Sequence, residues 1–363
     1  MKKIITLFVF LISLSLFAQD KIYQHKILPS NILSGFPYAS FIDHPDLNGN
    51  PNAKIVVKAT QLGTQVVNNH PIDLFYNGAK WIIENADGAD LVINSGFNVF
   101  IGGNSTILVK HSTNPANTNG IITQIDDPNF NNNNPGPFAI ITSTTTDANR
   151  INVPYAFDYG EAQGFRWIYT ENGTTFPFDV DFNIVIPGSS TSFTHISNNA
   201  NMEVNQTRLD HPLLNGNPDA TFVFEHYYGI GGASTNVDFP HFLSSRYDNA
   251  RGQWTIYTTD GSFFVENVAF DVVIAPREVL GTEDNQFNTE VTLYPNPAKD
   301  FVTIKANSVI NKISVFSILG QEVLTADNIA TDFKLNVSNW ETGTYFAKVQ
   351  TEKGLQTIKL IKN

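Results

Sequence analysis

Phe41-Ile42-Asp43-His44-Pro45 runs into Asn48-Gly49-Asn50-Pro51, and the chain repeats this passage twice more. Gln124-Ile125-Asp126-Asp127-Pro128 leads to Asn132-Asn133-Asn134-Pro135, and Arg208-Leu209-Asp210-His211-Pro212 leads to Asn215-Gly216-Asn217-Pro218. Pro45, Pro128 and Pro212 lie 83 and 84 residues apart. An apolar run follows each turn: Ala53 to Val57, Phe138 to Ile141 and Ala220 to Phe224. Next comes a tryptophan strand, beginning at Trp81, Trp167 and Trp254, then a turn holding Gly88, Gly173 or Gly261. Each unit closes on a Phe-led strand: Phe97 to Ile101, Phe182 to Ile186 and Phe270 to Ile274. Landmarks that recur in one order at one spacing define a repeat of about 85 residues. Its copies span 22–102, 103–187 and 188–275.

Each copy reads as about five short strands split by Asn, Gly, Pro and Asp clusters. None carries an apolar stripe at helical spacing. The fold class is therefore all-β. A unit this long can bury a modest core of its own. Three β-sandwich-like modules in tandem are preferred over one fold closed from three sheets.

Only 15% of the 363 residues are charged, and the net charge is −12. An acidic surface repels phosphates and anionic lipids, so nucleic acid is a poor partner. The absence of cysteine excludes disulfides, thiolate metal sites and cysteine nucleophiles. Residues 1–18 read as a signal peptide: Lys2 and Lys3, an apolar stretch from Ile4 to Phe17, then Ala18 before the cut. Removing it takes two positive charges away and brings the mature chain near −14. No later stretch is apolar and long enough to span a bilayer as a helix.

A polar linker occupies 276–290, and 291–363 divides into seven short strand candidates, which suggests a compact Ig-like β-sandwich. In this module Leu293-Tyr294-Pro295-Asn296-Pro297-Ala298 resembles the opening of the C-terminal sorting domain of the type IX secretion system. Val315 to Gln321, with Gly320, is similar to that family's central motif. Gly343-Thr344-Tyr345 and the basic end with Lys359 and Lys362 resemble its final hairpin. The resemblance implies a protein of Bacteroidota carried through the periplasm to the outer cell surface or the medium. Its implied partners are the outer-membrane translocon and the sorting protease. The repeats resemble an uncharacterised β-rich repeat domain of secreted bacterial proteins, which brings no activity with it.

Candidate ligand-binding residues each have a plainer reading. Trp81, Trp167 and Trp254 are stacking platforms for a sugar or core anchors; a Trp opening an apolar strand favours the anchor. The pairs Asp43–His44 and Asp210–His211 offer metal-ligand or acid–base chemistry. Asp126–Asp127 replaces the pair in the second repeat, which favours turn capping. Asp46-x-Asn48-x-Asn50 has the oxygen spacing of some calcium loops, but Leu213 and Asn129 stand at the matching positions. Calcium is thus the minor alternative to a tight turn. Asn98, Asn183 and Asp271 lie on the opposite strand face from Phe97, Phe182 and Phe270, where they line a ligand surface, face water or satisfy a turn. No nucleophile elbow, zinc-protease motif, phosphate loop or dinucleotide fingerprint occurs. Non-catalytic binding or adhesion to an extracellular glycan or protein is expected, with a glycoside-hydrolase-like enzyme as the alternative.

Deleting 291–363 is expected to retain the repeats inside the cell envelope, as read by cell fractionation. Unchanged appearance of the repeats outside the cell would contradict the sorting role.

Overall fold

The computed structural model describes residues 19–278 and 291–363, apart from short stretches at 64–65, 133–135, 146–148, 161–163, 230–234, 307–308, 318–320 and 352–353. The signal segment, most of the linker and Gly320 lie outside the described residues. Two compact units result, Met1–Val279 and Leu280–Asn363. Among the described residues no helix is long and apolar enough to cross a membrane.

Each repeat has seven strands rather than five. Repeat 1 holds β1 (Lys21–Lys26), β2 (Ile32–Leu33), β3 (Phe36–Ile42), β4 (Ile55–Thr60), β5 (Ile72–Tyr76), β6 (Trp81–Asn85) and β7 (Gly96–Ile101). Repeat 2 holds β8 (Ile107–Ser112), β9 (Thr118–Asn119), β10 (Ile122–Ile125), β11 (Ile140–Thr144), β12 (Tyr155–Gly160), β13 (Phe165–Thr170) and β14 (Asp181–Ile186). Repeat 3 holds β15 (Thr191–Ile196), β16 (Met202–Glu203), β17 (Gln206–Arg208), β18 (Phe222–Tyr228), β19 (Leu243–Asp248), β20 (Gln253–Thr258) and β21 (Ala269–Ile274).

No sheet belongs to one repeat. The orders are β16-β17-β20-β19-β4-β7-β1-β22, β2-β3-β6-β5-β11-β14-β8 and β15-β21-β18-β12-β13-β10-β9, where β22 is Arg277–Glu278. The joins are parallel: Thr144 opposite Leu74, Phe157 opposite Tyr227, and Ser245 opposite Thr60. They link repeat 1 to 2, 2 to 3 and 3 back to 1, so the chain closes into a ring. The preference for independent tandem modules is corrected by this pairing. Each repeat still keeps a sandwich core of its own, around Trp81 and Phe97, Phe157 and Phe182, or Trp254 and Phe270.

The closing strands explain why separate modules fail. Phe97, Val99 and Ile101 point into the repeat's own core, while Phe100 points to the ring axis with Val56, Ile140, Val185, Val223 and Val273. Strands buried on both faces read as unbroken apolar runs, which is how the sequence shows them. Each large side chain in this axial cluster contributes roughly 1.5–3 kcal/mol by burial.

Polar groups complete the axis. Asn98 donates to the Phe222 carbonyl at 2.7 Å and Asn183 to the Ile55 carbonyl at 3.2 Å; Asp271 accepts from the Ala139 N–H at 3.4 Å. These three matching positions are buried and bind neighbouring repeats, so they do not face water. A layer above, Lys58 pairs with Glu225 at 2.8 Å, Glu225 accepts from the Ile141 N–H, and Thr142 bonds the Val57 backbone. Both layers connect every repeat to the other two. Where the repeats join, the Asp20 carboxylate accepts from the N–H groups of Gly103, Gly188, Ser189 and Ser190.

The end of the repeat body is also part of the ring. Arg277–Glu278 pairs in parallel with β1, so these residues leave the expected linker and join the sheet. The second unit has the seven expected strands in a three-stranded and a four-stranded sheet around Val302, Val315 and Leu360. Asn296 binds the last strand through the Lys359 carbonyl and the Ile361 N–H, each at 2.8 Å. The Tyr345 hydroxyl donates to the Glu341 carbonyl.

Lys58→Met leaves the Glu225 carboxylate buried without its counter-ion. The expected loss is about 3–5 kcal/mol in urea unfolding. Lys58→Met with Glu225→Met is expected to recover most of it.

Candidate functional site

The predicted ligand residues scatter over turns and cores. Trp81 and Trp254 are buried, and their indole N–H groups donate to the Asn50 and Asn217 carbonyls at 2.9 Å. They anchor the Asn-Gly-Asn-Pro turns from inside. Trp167 is not their counterpart. Strand pairing places Tyr76 opposite Trp81, Tyr159 opposite Arg166, and Tyr247 opposite Trp254, so Arg166 holds the equivalent position. Arg166 is fully buried between the rings of Phe130, Phe157 and Tyr227. A guanidinium stacked on aromatic rings occupies the space an indole fills in the other copies.

The aspartates cap turns: Asp43, Asp126 and Asp210 accept from the amides of Asn48, Asn131 and Asn215. Nδ1 of His44, Oδ1 of Asp127 and Nδ1 of His211 each accept the N–H two residues on. A histidine and an aspartate interchange there because both offer one acceptor at that reach. The calcium-like oxygens are engaged: Asn48 Oδ1 accepts from the His44 N–H, Asn50 Oδ1 from the Asn52 N–H, and Asp46 Oδ2 from the Lys21 ammonium. Among the described residues one trio brings its metal-binding atoms within 4.8 Å, namely His44, Asp46 and Glu278. The Lys21 ammonium already bridges Asp46 and Glu278, at 2.5 and 2.7 Å.

A threefold histidine set escaped the sequence reading. Nε2 of His25, His111 and His195 contacts the hydroxyl of Ser40, Thr123 and Thr207 at 2.7–2.9 Å. Those hydroxyls donate on to Asn31, Asn117 and Asn201. The signal was available as a histidine and an asparagine recurring at the repeat spacing. Burial lowers each imidazole from its usual value to about 4.

Exposed apolar side chains and a cavity gather at one end of the ring. The loop after β6, β13 and β20 has ten residues in every repeat and buries Leu91, Phe176 or Phe264. Those residues donate their N–H to the neighbouring hairpin tip, at Pro37, Gly120 and Val204. Loop and tip thus form one platform per repeat. Each platform exposes large apolar side chains: Phe36 (50%) and Ile93 in repeat 1, Ile121 and Phe178 in repeat 2, Val204 (64%) and Phe263 (74%) in repeat 3. Rotation about the ring axis places all three on the same end. The starts of β5, β12 and β19 lie at this end too, where His70, Pro154 and His241 line an axial cavity of ≈ 110 Å³ with Lys58, Glu225 and His226. Two larger grooves lie along the joins. Pro51, Tyr76 and Trp81 line one, and the matching Pro218, Tyr247 and Trp254 line the other.

A family model described as a domain of unknown function, DUF7452, matches residues 8–101 and 156–274, more than half of the sequence. The chain belongs to the DUF7452 family. The unmatched stretch between the two segments covers the first half of repeat 2, the copy that departs from the Asp-His pair. A secretion system C-terminal sorting domain matches residues 292–363. This DUF7452 protein is therefore exported by the type IX system to the cell surface or beyond. No curated protein matches it. Among solved structures, PorZ, an essential surface component of the type IX secretion system of Porphyromonas gingivalis, is 15% identical with a TM-score of 0.19. The match covers 60% of this chain and 26% of PorZ, so the chain spans about a quarter of that protein's length. The BSP domain of a biofilm-associated protein is 10% identical with a TM-score of 0.17, over 96% of this chain and 82% of that one. Similarity this low bears on neither fold nor role.

The three buried histidines carry a pH prediction. Their folded forms stay neutral down to about pH 4, whereas the unfolded chain takes up protons below about 6.5. Stability therefore falls as pH drops through that window, by up to about 1.4 kcal/mol per pH unit for each histidine. Asp271, raised to about 7 by burial, works in the opposite sense, so the comparison is between proteins. His195→Gln is expected to flatten the slope of unfolding free energy against pH by up to that amount.

Proposed function

We propose that the repeats form a non-catalytic extracellular binding body that engages its target through the three apolar platforms. One observation carries this reading: the same two loops, tied by the same backbone bond, expose apolar side chains in every repeat. Isolated exposed apolar residues are ordinary on a protein surface, but a threefold set on one end is not. Three platforms on a closed ring meet a partner at once, and weak sites then add through effective concentration. The acidic body has 12 basic and 25 acidic residues between 20 and 278, which favours an uncharged target, a neutral glycan or protein surface, over an anionic membrane. Release of the sorting module by the type IX protease would deliver the ring as the finished product.

A glycoside hydrolase is the second reading, because Glu171 and Glu225 both line the axial cavity. Both carboxylates are already engaged, Glu171 by His226 and the Phe239 N–H, and Glu225 by Lys58. Neither is free to act on a glycosidic bond.

Binding of the mature protein to a panel of glycans and matrix proteins tests this reading. Phe36→Ser, Phe178→Ser and Phe263→Ser are each expected to weaken capture, and the triple variant to lose it. Their exposed positions keep folding within about 0.5 kcal/mol of the parent. Full binding by a folded triple variant, or release of reducing sugar by the parent, would contradict the proposal.

A further inference from the structure

The axial cavity is built from three carboxylate-held histidines. Nδ1 of His70 meets Asp87 at 2.7 Å, Nδ1 of His241 meets Asp260 at 2.8 Å, and Nδ1 of His226 meets Glu171 at 2.6 Å. The first two pairs are the same pair in repeats 1 and 3. Repeat 2 has Val153 and Asn172 in their place, and there His226 and Glu171 supply the third. A carboxylate only accepts, so each Nδ1 carries the proton and a neutral ring offers Nε2 as an acceptor. His226 is 3% exposed and Asn68 is 2% exposed, and both line the cavity. Among the described residues, neither His226 Nε2 nor Asn68 Oδ1 has a protein partner.

Two buried acceptors around one cavity call for a donor. A single metal ion is a poor fit, because these imidazoles do not form a trio of ligand atoms within 4.8 Å. An anion is disfavoured by Glu171, Glu225, Asp87 and Asp260, against which Lys58 is one charge. The ≈ 110 Å³ of space holds roughly four water-sized groups. We infer that the axial cavity of the ring binds a primary ammonium group, whose N–H bonds are accepted by His226 Nε2 and Asn68 Oδ1. The shared chemistry is the ammonium. Its source is a free small amine, an amino sugar or the amino group of a peptide. The site is separate from the apolar platforms, and it stands whether or not they bind.

Calorimetric titration of the full mature protein with ethylammonium, putrescine, glucosamine and glycyl-glycine tests this and separates the sources. Glycerol and acetate serve as neutral and anionic probes. At least one amine is expected to bind, and glycerol and acetate are not. Asn68→Leu and His226→Phe are each expected to weaken the amine by at least about tenfold. A second measurement keeps the test independent of how the variants fold. In the parent protein, the nitrogen resonance of His226 Nε2 should shift as the amine is added. Equal binding of glycerol, or no amine binding with an unmoved His226 resonance, would overturn the inference.

Discussion

Everything in the repeat body depends on three short parallel strand joins. In each, the start of one repeat's fifth strand pairs with the end of another repeat's fourth. The joins are only one or two residue pairs long, too few to hold modules together alone. They act by placing the outer faces of the fourth and seventh strands against one another. Val56, Phe100, Ile140, Val185, Val223 and Val273 then exclude water from the axis. A repeat cut from the ring would expose that face and an unpaired sheet edge, both costly in water.

Closure also governs where the copies differ. In the polar layers of the axis the three repeats meet, and equal charges would repel. The matching positions hold Lys58, Thr142 and Glu225 in one layer, and Asn98, Asn183 and Asp271 in the other. Within each sandwich the same solution recurs three times: histidine to hydroxyl to asparagine, and loop to hairpin tip. Divergence therefore marks where polar and charged groups of the three repeats meet, whereas the apolar part of the axis repeats Val56, Ile140 and Val223. The axial cavity belongs to the divergent part and the apolar platforms to the repeated part, so they are different kinds of site.

The repeat, its strand-rich character and the seven strands of the sorting module were legible from spacing and turn residues. So was the turn-capping role of Asp43 and Asp210, since side-chain capping is local. Ring closure was not legible, because a doubly buried strand has the same unbroken apolar run in a sandwich or around an axis. Aligning Trp167 with Trp81 and Trp254 was wrong by one residue. Matching by residue type found the nearest tryptophan, but in a strand one step reverses the face. Arg166 could not be foreseen as a core residue without the aromatic rings of Phe130, Phe157 and Tyr227 around it.

Each repeat contains one tryptophan, Trp81, Trp167 or Trp254, and this gives the most direct measurement. Variants of the mature repeats, each with one of the three retained and the others changed to Phe, report unfolding in urea repeat by repeat. For each variant, the quantity of interest is the difference between its fluorescence curve and its own circular dichroism curve. A closed ring predicts that fluorescence and dichroism coincide in every variant, because no repeat unfolds while the others stand. Three tryptophan transitions that separate from the dichroism curve at different urea concentrations would show independent modules and contradict the closed ring.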